Sequence, residues 1–391
     1  MTTTPITVVG GGLAGLTAAI AAAETGTSVR LFEAHQTLGG RGRATPPPYI
    51  AHDGAHVFYA DGPHYTWLKE RGFVAGLGWP ALSGGFKLAF RTDARLRKLP
   101  PVGMLRAQSR RWLTAPVDVD FHSWAAGRWG ERTAIQLANA ISVVTYDANT
   151  GRLSAAFVWD LFQRALGPRV PAVRWVRGGW QQSIDRMAAR AGELGVVIET
   201  GARVTELPTD GPVIVATELE SARKLLGDES LHGTSGFAAL LDLAVTKDRR
   251  DRHIVFDLDE AGFQECYTMQ DDTIAPEGES LYQLQMPLRD NESRDSAHER
   301  LERLADAGIP DWRSRTTFRR TATAKNRTGA LDLPGTTWRD RHAINRGGGI
   351  YLVGDMVAAP GMRGEIAINS ALTAAASAVA AVQGVGQRST R

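Results

Sequence analysis

Residues 6–15, Ile6-Thr7-Val8-Val9-Gly10-Gly11-Gly12-Leu13-Ala14-Gly15, decide how the rest of the chain is read. The β-branched run Ile6–Val9 has the pattern of a buried parallel strand. It runs straight into glycines, and an alanine-rich helix is predicted from about Leu16 to Glu24. A second apolar strand follows over Ser28–Phe32 and ends at Glu33. Strand, glycine turn, helix, strand and acid within about thirty residues form a dinucleotide-binding pattern. Gly10 permits the tight turn, Gly12 lets the backbone approach a pyrophosphate, and Gly15 allows close packing of helix on strand. The amides at the helix N-terminus turn the positive end of the helix dipole to the phosphates, with Leu13 and Ala14 in the turn ahead of it as further binding candidates. Glu33, about twenty residues after the turn, is placed to accept hydrogen bonds from a ribose.

The whole chain has 391 residues. That exceeds the commonest domain length of roughly 100–150 residues, so one large domain or two are expected. Apolar residues make up 43% and charged residues 22%. With no run of about 18 apolar residues, this composition argues against a disordered, collagen-like or membrane-spanning chain. The 42 glycines cluster instead of repeating, which points to tight backbone approaches to a ligand. A net charge of +3, from 45 basic and 42 acidic residues, gives no support for a nucleic-acid partner. Cys266 is the one cysteine, which leaves no disulfide framework and reads as a small core residue. Met1–Pro5 lacks the basic start of a targeting segment, so a cytoplasmic address is the default expectation.

Gly39-Gly40-Arg41-Gly42-Arg43 begins six residues after Glu33. With it, Val8–Arg43 resembles the FAD-binding start of the amine oxidase, phytoene desaturase and protoporphyrinogen oxidase superfamily. The resemblance implies FAD as cofactor, with Glu33 and Ala34 at the ribose and Gly40 and Arg41 against the phosphates and flavin. Ile50–Phe58 resembles the family's Asp-x-Gly-Pro-His strand near the flavin. Gly54 and His56 match, Ala55 replaces the proline, and His52 stands where the aspartate usually is, beside Asp53. His56 is read either as a structural histidine or as part of the site wall. At the other end, the strand Gly349–Val353 leads into Gly354-Asp355, then Gly361-Met362-Arg363-Gly364-Glu365-Ile366 and a helix to about Gln383. This resembles the family's closing Gly-Asp motif and implies Asp355 at the ribityl and phosphate region. The helix opening at Gly364, Glu365 and Ile366 would aim at the flavin pyrimidine edge, where a helix N-terminus stabilises negative charge.

Between these ends, a helix over about 178–194, a strand over 196–199, a short strand over 201–207 and a buried strand over 212–217 resemble the family's return to the FAD domain. Val204 would touch the adenine through its backbone. The expected architecture is α/β, α+β overall: a Rossmann-type doubly wound FAD-binding domain over 1–80, 171–235 and 340–391. A mixed-sheet and helical substrate-binding domain, 81–170 and 236–339, is interleaved with it. The first substrate piece reads as mostly helical, and Trp112, Trp124, Trp129, Trp159 and Phe162 form either a core or an apolar tunnel. Arg95, Arg97, Lys98, Arg106, Arg110 and Arg111 make a solvated basic face or a peripheral membrane contact. Pro100, Pro101 and Gly103 break any long amphipathic helix there and favour the solvated face. In the second piece, 237–245, 251–258 and 280–286 are expected to form an antiparallel sheet roofing the flavin, followed by a helix over 296–307. Tyr267, Tyr282 and Gln283 are its substrate-facing candidates.

The resemblance implies an FAD-dependent oxidoreductase that takes a hydride from a substrate carbon to flavin N5. No second glycine turn follows a strand, so oxygen, a quinone or a carrier protein is the expected electron acceptor. The absence of H-E-x-x-H, P-loop and G-x-S-x-G patterns leaves hydrolase and phosphotransferase chemistry without support. Many amine oxidases of the superfamily set a lysine near N5 and an aromatic pair around the amine. Lys325 is the one lysine near a suitable segment, and with His56, Tyr267 and Tyr282 it completes the catalytic candidates. Met362 and Arg363 look closer to the desaturases. Desaturation or dehydrogenation of an apolar or secondary-metabolite substrate is therefore expected first, and amine oxidation second. A non-redox flavin isomerase or an FAD-less binding protein is the alternative of another class.

Overall fold

The strand Ile6–Val9 pairs in parallel with Val29–Glu33 on one side and with Val213–Val215 on the other. Val197–Thr200 and Ile350–Leu352 extend this sheet outward in parallel, and Asn345–Gly347 closes one edge antiparallel. The computed structural model describes residues 4–54, 57–74, 77–78, 87–166 and 172–388. Both faces of the central strand are apolar because helices cover both sides. Ile6 and Val8 face the helices Leu13–Ala23, Gly179–Glu193 and Gly364–Arg388. Val9, with Val213, Val215 and Leu352, packs on the other side beside Ala222 of the helix Leu219–Leu226.

Gly201–Leu207 is not the expected strand. The Gly201 and Ala202 amides donate to the carbonyls of His35 and Glu33, and Gly201 sits at φ +69°, so the chain turns across the sheet's end. The segment Gly364–Gly384 is, among the described residues, the one helix long and apolar enough to cross a membrane. Here Ala367, Ile368, Ala371, Ala374, Ala375 and Ala378 are buried in the nucleotide-domain core, against the alanine-rich helix Leu13–Ala23.

A second sheet has seven strands, in the order Thr316–Lys325, Phe237–Thr246, Glu279–Pro287, Phe263–Cys266, Ile254–Asp257, Leu88–Thr92 and Arg95–Arg97. All its pairings are antiparallel except Leu88–Thr92 with Ile254–Asp257. The two strands from the first substrate piece were not visible in its helical pattern. One face carries Leu241, Leu243, Val245, Leu284 and Met286 against Ala297, Leu301, Leu304 and Ala305 of the helix Arg294–Gly308. The other face looks toward the nucleotide domain. Between the two lies a small antiparallel sheet of Val57–Tyr59, Val173–Val176 and Leu77–Gly78. Its Phe58 and Val176 belong to the nucleotide core, while Trp175 packs with Ala244 and Leu281 under the large sheet.

The helices Phe121–Trp129, Glu131–Thr145 and Ala155–Leu166 flank this arrangement. Trp124 lies 5.3 Å from Trp129 and 5.1 Å from Trp159, and Trp159 lies 5.5 Å from Phe162, centroid to centroid. These rings are core; Trp112 stands apart, exposed. Pro101 stands at the start of the short helix Val102–Gln108, and no long amphipathic helix forms there, as the prolines suggested. Leu304→Ala removes a fully buried contact between helix and sheet, and should cost about 2–5 kcal/mol in denaturant unfolding. An unchanged midpoint would contradict that packing.

Candidate functional site

Gly10 adopts φ +109°, and its amide donates to the Phe32 carbonyl at 2.7 Å. A Cβ on Gly15 would stand 1.8 Å from the Gly10 oxygen, so only glycine lets the helix approach this closely. The Gly11 amide donates to Glu33 Oε2 at 2.8 Å, and the His35 amide to Oε1 at 2.8 Å. The His35 ring nitrogen Nδ1 is also 2.8 Å from Oε1. Burial pushes the Glu33 carboxyl upward, but the His35 and Gly11 amides and the His35 ring outweigh it and hold the group below its ordinary range. Glu33 is thus a fixed anion at the end of its strand, with Ala34 next to it and the Val204 segment crossing beside it. Val204 itself is partly buried against the cluster of Val9 and Val213.

The Gly39 amide donates to the Gly11 carbonyl at 2.8 Å, which lays Gly39 and Gly40 alongside Gly12. A Cβ on Gly12 would meet Gly40 Cα at 3.9 Å. No side chain caps the helix that begins at Leu13 and Ala14, and its first turn holds no acid. Arg41 Nη1 reaches Asp355 Oδ2 at 2.5 Å, joining residues 314 positions apart. Gly354, at φ +141°, donates its amide to Ser370 Oγ at 3.1 Å and so sets Asp355 over the start of the last strand's turn. Backbone glycines that leave room for a ligand, an uncapped helix start, one arginine and an acid at the end of the second strand together fit a dinucleotide.

The C-terminal helix departs from the bare positive end expected of it. Glu365 turns inward, accepting from Arg164 Nη1 at 2.8 Å and from the Met362 amide at 3.2 Å, and Arg164 also pairs with Asp61. A Cβ on Gly364 would come within 3.2 Å of both Leu13 and Trp180, so this helix start packs tightly onto the glycine turn. The Ile366 side chain belongs to the Val9 and Leu352 cluster, which leaves its backbone for any ligand contact. Arg363, at φ +50°, donates to the Val143 and Val144 carbonyls at 2.7 and 2.6 Å and lies 5.0 Å from the Tyr146 ring centroid. Tyr146 Oη is 3.3 Å from where a Gly54 Cβ would be, which brings Gly54, Tyr146 and Arg363 into one wall. Ala55 and His56 lie outside the described residues.

His52 Nε2 accepts from the Trp180 amide at 3.2 Å. Burial, reinforced by Arg320, pushes this histidine down to about 3, so it is neutral and structural. Asp53 receives Arg320 Nη1 at 3.1 Å and Arg327 Nη1 at 2.6 Å, and these pairs tie the loop to the large sheet. On that sheet, Arg320, Asp242, Gln283 and Glu265 stand directly opposite one another on four adjacent strands. Arg320 Nε donates to Asp242 Oδ2 at 2.8 Å; Gln283 Nε2 donates to Asp242 Oδ1 at 3.0 Å and to the His52 carbonyl at 2.7 Å. Trp175 Nε1 donates to Glu265 Oε1 at 2.8 Å. Burial pushes Asp242 up to about 6 against the pull of Arg320, and Glu265 up to about 7.

Sequence reasoning named only Gln283 from this row. Asp242, the one charge in Phe237–Val245, and the alternation of Gln283 with Gln285 were the signals available. Tyr267 is buried beside Trp175 and bonded to Glu265, on the same side of the sheet. Tyr282 is a correction: successive strand residues point to opposite faces, and it packs with Cys266 and Leu243 in the core under the helix Arg294–Gly308. Lys325 is also corrected, being exposed at the end of its strand on the face opposite to Ala324, a neighbour of Leu240 in the core.

Residues 8–70 match the NAD(P)-binding Rossmann-like domain. A search of the curated proteins finds no match. Among solved structures, an oxidoreductase from Methanosarcina mazei superposes with a TM-score of 0.74 at 14% identity, over 94% of this chain and 99% of that one. Cyclohexylamine oxidase from Brevibacterium oxydans gives 0.70 at 13% identity, over 97% and 100%. A reduced UDP-galactopyranose mutase gives 0.69 at 14% identity, over 100% and 95%. The chain therefore shares the fold of these enzymes, and residues 8–70 form the dinucleotide-binding Rossmann-like start that the sequence suggested.

Glu265 supplies a pH test. Its folded pKa of about 7 lies above the ordinary 4.5, so the fold favours the protonated form. The stability this brings is complete below about 4.5 and is lost as pH rises through 7, by about 3 kcal/mol. Glu265→Gln cannot ionise, so the wild-type Tm should fall several degrees relative to the variant between pH 5 and 8. Parallel Tm curves would place the Glu265 carboxyl outside the buried network.

Proposed function

We propose that this chain holds FAD across the Gly10–Gly15 turn and oxidises a small organic substrate beneath the large sheet. The observation that carries the proposal is the Arg41–Asp355 pair, which brings the two ends of the chain together at the Gly12–Gly40 cradle. Glu33 accepts the ribose hydroxyls, the Leu13 and Ala14 amides meet the pyrophosphate, and Arg41 meets its charge while holding Asp355 in place. Bound FAD supplies a two-electron acceptor for a hydride leaving a substrate carbon. Gly54, Tyr146 and Arg363 wall the site, and the pairs of Asp53 with Arg320 and Arg327 keep the sheet closed over it. Oxygen, a quinone or a carrier protein then receives the electrons.

Desaturation or dehydrogenation is the reading best supported. Lys325 is at the surface, and the sheet row turned to the nucleotide domain offers carboxyl, amide and guanidinium groups instead of an amine. One observation favours amine oxidation as the second reading. Glu265 is buried with no arginine or lysine paired to it among the described residues, and a carboxylate so placed could hold a cationic amine.

The purified protein should show flavin absorption and release free FAD on heating. Gly12→Val should purify folded but colourless, because the added methyls fill the cradle without touching the core, whereas Gly15→Val should fail to fold. Glu33→Ala should weaken FAD retention roughly tenfold through the lost ribose bonds. A Gly12→Val protein that retains FAD in full would sink the assignment. With substrates that bleach the flavin, loss of two hydrogens without ammonia marks desaturation and release of ammonia marks amine oxidation; turnover to a product of unchanged mass with no net bleaching marks isomerisation.

A further inference from the structure

Away from the site, one stretch of the surface combines apolar exposure with a single sign of charge. Leu99, Val102, Leu105 and Trp112 are 74%, 64%, 45% and 63% exposed. Such side chains normally occur singly on a soluble surface, and here four fall within fourteen positions. The short helix Val102–Gln108 accounts for the pattern. Val102 and Leu105, three residues apart, share one side of it, and Leu99 precedes them at the same interval. Met104 and Ala107, on the other side, are fully buried in the helical core, and Gln108 Nε2 donates to the Leu166 carbonyl at 2.8 Å. The apolar edge is thus held outward by a buried one.

The same stretch is basic throughout. Arg95, Arg97, Lys98, Arg106, Arg110 and Arg111 are all exposed, and no acidic residue occurs between Asp93 and Asp118. Asp93, at the edge of the stretch, pairs with Arg132 at 2.7 Å and with Arg97 at 3.9 Å, so the unopposed cations lie from Lys98 onward. The Arg110 guanidinium lies 5.4 Å from the Trp112 ring centroid, so the indole and a cation sit at one level. Cations interleaved with short alkyl side chains and one amphipathic indole match the boundary between anionic headgroups and acyl chains. We propose that residues 95–112 form a docking surface for an anionic lipid bilayer. It seats the substrate-binding domain on the membrane without inserting any helix across it, and it does not depend on the bound cofactor.

The test is sedimentation of the full-length, cofactor-loaded protein with vesicles of phosphatidylcholine alone or with one-third phosphatidylglycerol. Partition to the anionic vesicles should exceed that to neutral ones by roughly tenfold at low salt and fall as salt screens the charges. Leu99→Ser with Trp112→Ser, and separately Arg110→Glu with Arg111→Glu, should each lower that binding roughly tenfold. All four positions are exposed, so flavin content and Tm should match the wild type. Absence of wild-type binding to anionic vesicles at low salt would overturn the proposal, as would variants that bind equally well. A wild-type dimer in solution that the serine pair converts to monomer, with no vesicle binding, would assign the face to a second copy of the chain instead.

Discussion

The carbonyl oxygen of Gly10 occupies the space where a side chain on Gly15 would begin. That close approach holds the first helix directly on the end of the first strand, and the cradle's other parts take their positions from it. Gly12 comes to face Gly40, the Gly11 amide is aimed at Glu33, and Leu13 abuts the start of the C-terminal helix at Gly364. A backbone contact can set such distances more sharply than packed side chains, because it has no rotamers to adjust. The nucleotide domain is built outward from a place where only hydrogen atoms fit.

The large sheet is held against the His52–Asp53 loop of the nucleotide-binding half by polar contacts whose members satisfy one another. Asp53 bridges two arginines of the Thr316–Lys325 strand region, and Gln283 spans from Asp242 to the His52 carbonyl. Burying carboxylates is costly unless they are paired and hydrogen-bonded, and an apolar row would cost less. What the polar row offers is register. A shift of one residue between strands would send Asp242, Gln283 and Glu265 into the apolar face beneath the helix Arg294–Gly308. Only one alignment of the sheet over the nucleotide domain leaves all of them satisfied.

The nucleotide domain was legible because its determinants are local. Ile6–Val9, the glycines and Glu33 lie within one supersecondary unit, and Arg41 and Asp355 sit inside short motifs of their own. The large sheet was legible only as strands. Its pairing with Leu88–Thr92 depends on a partner 166 positions away, which no local pattern announces. Tyr282 carries an aromatic ring that suggests a role, while its parity along the strand puts it on the other face. Glu265 was passed over for the opposite reason: Phe263–Cys266 is too short to display alternation. Lys325 was judged by its neighbours in sequence, yet its strand ends at the surface there.

The pairing of Ile350–Leu352 with Val213–Val215, and through it with Ile6–Val9, has a further consequence during synthesis. Contacts so far apart in sequence form late, because the loop they close must first be made. Until Ile350–Leu352 has left the ribosome, Val213–Val215 is an open edge of Val-Ile-Val, a wholly buried type of strand, with unpaired backbone groups. Such an edge is a template for pairing with other chains. Ile350–Leu352 therefore acts as the chain's own cover for that edge. Truncations before Ile350 should leave a nascent protein that associates with itself, whatever its capacity to hold a cofactor.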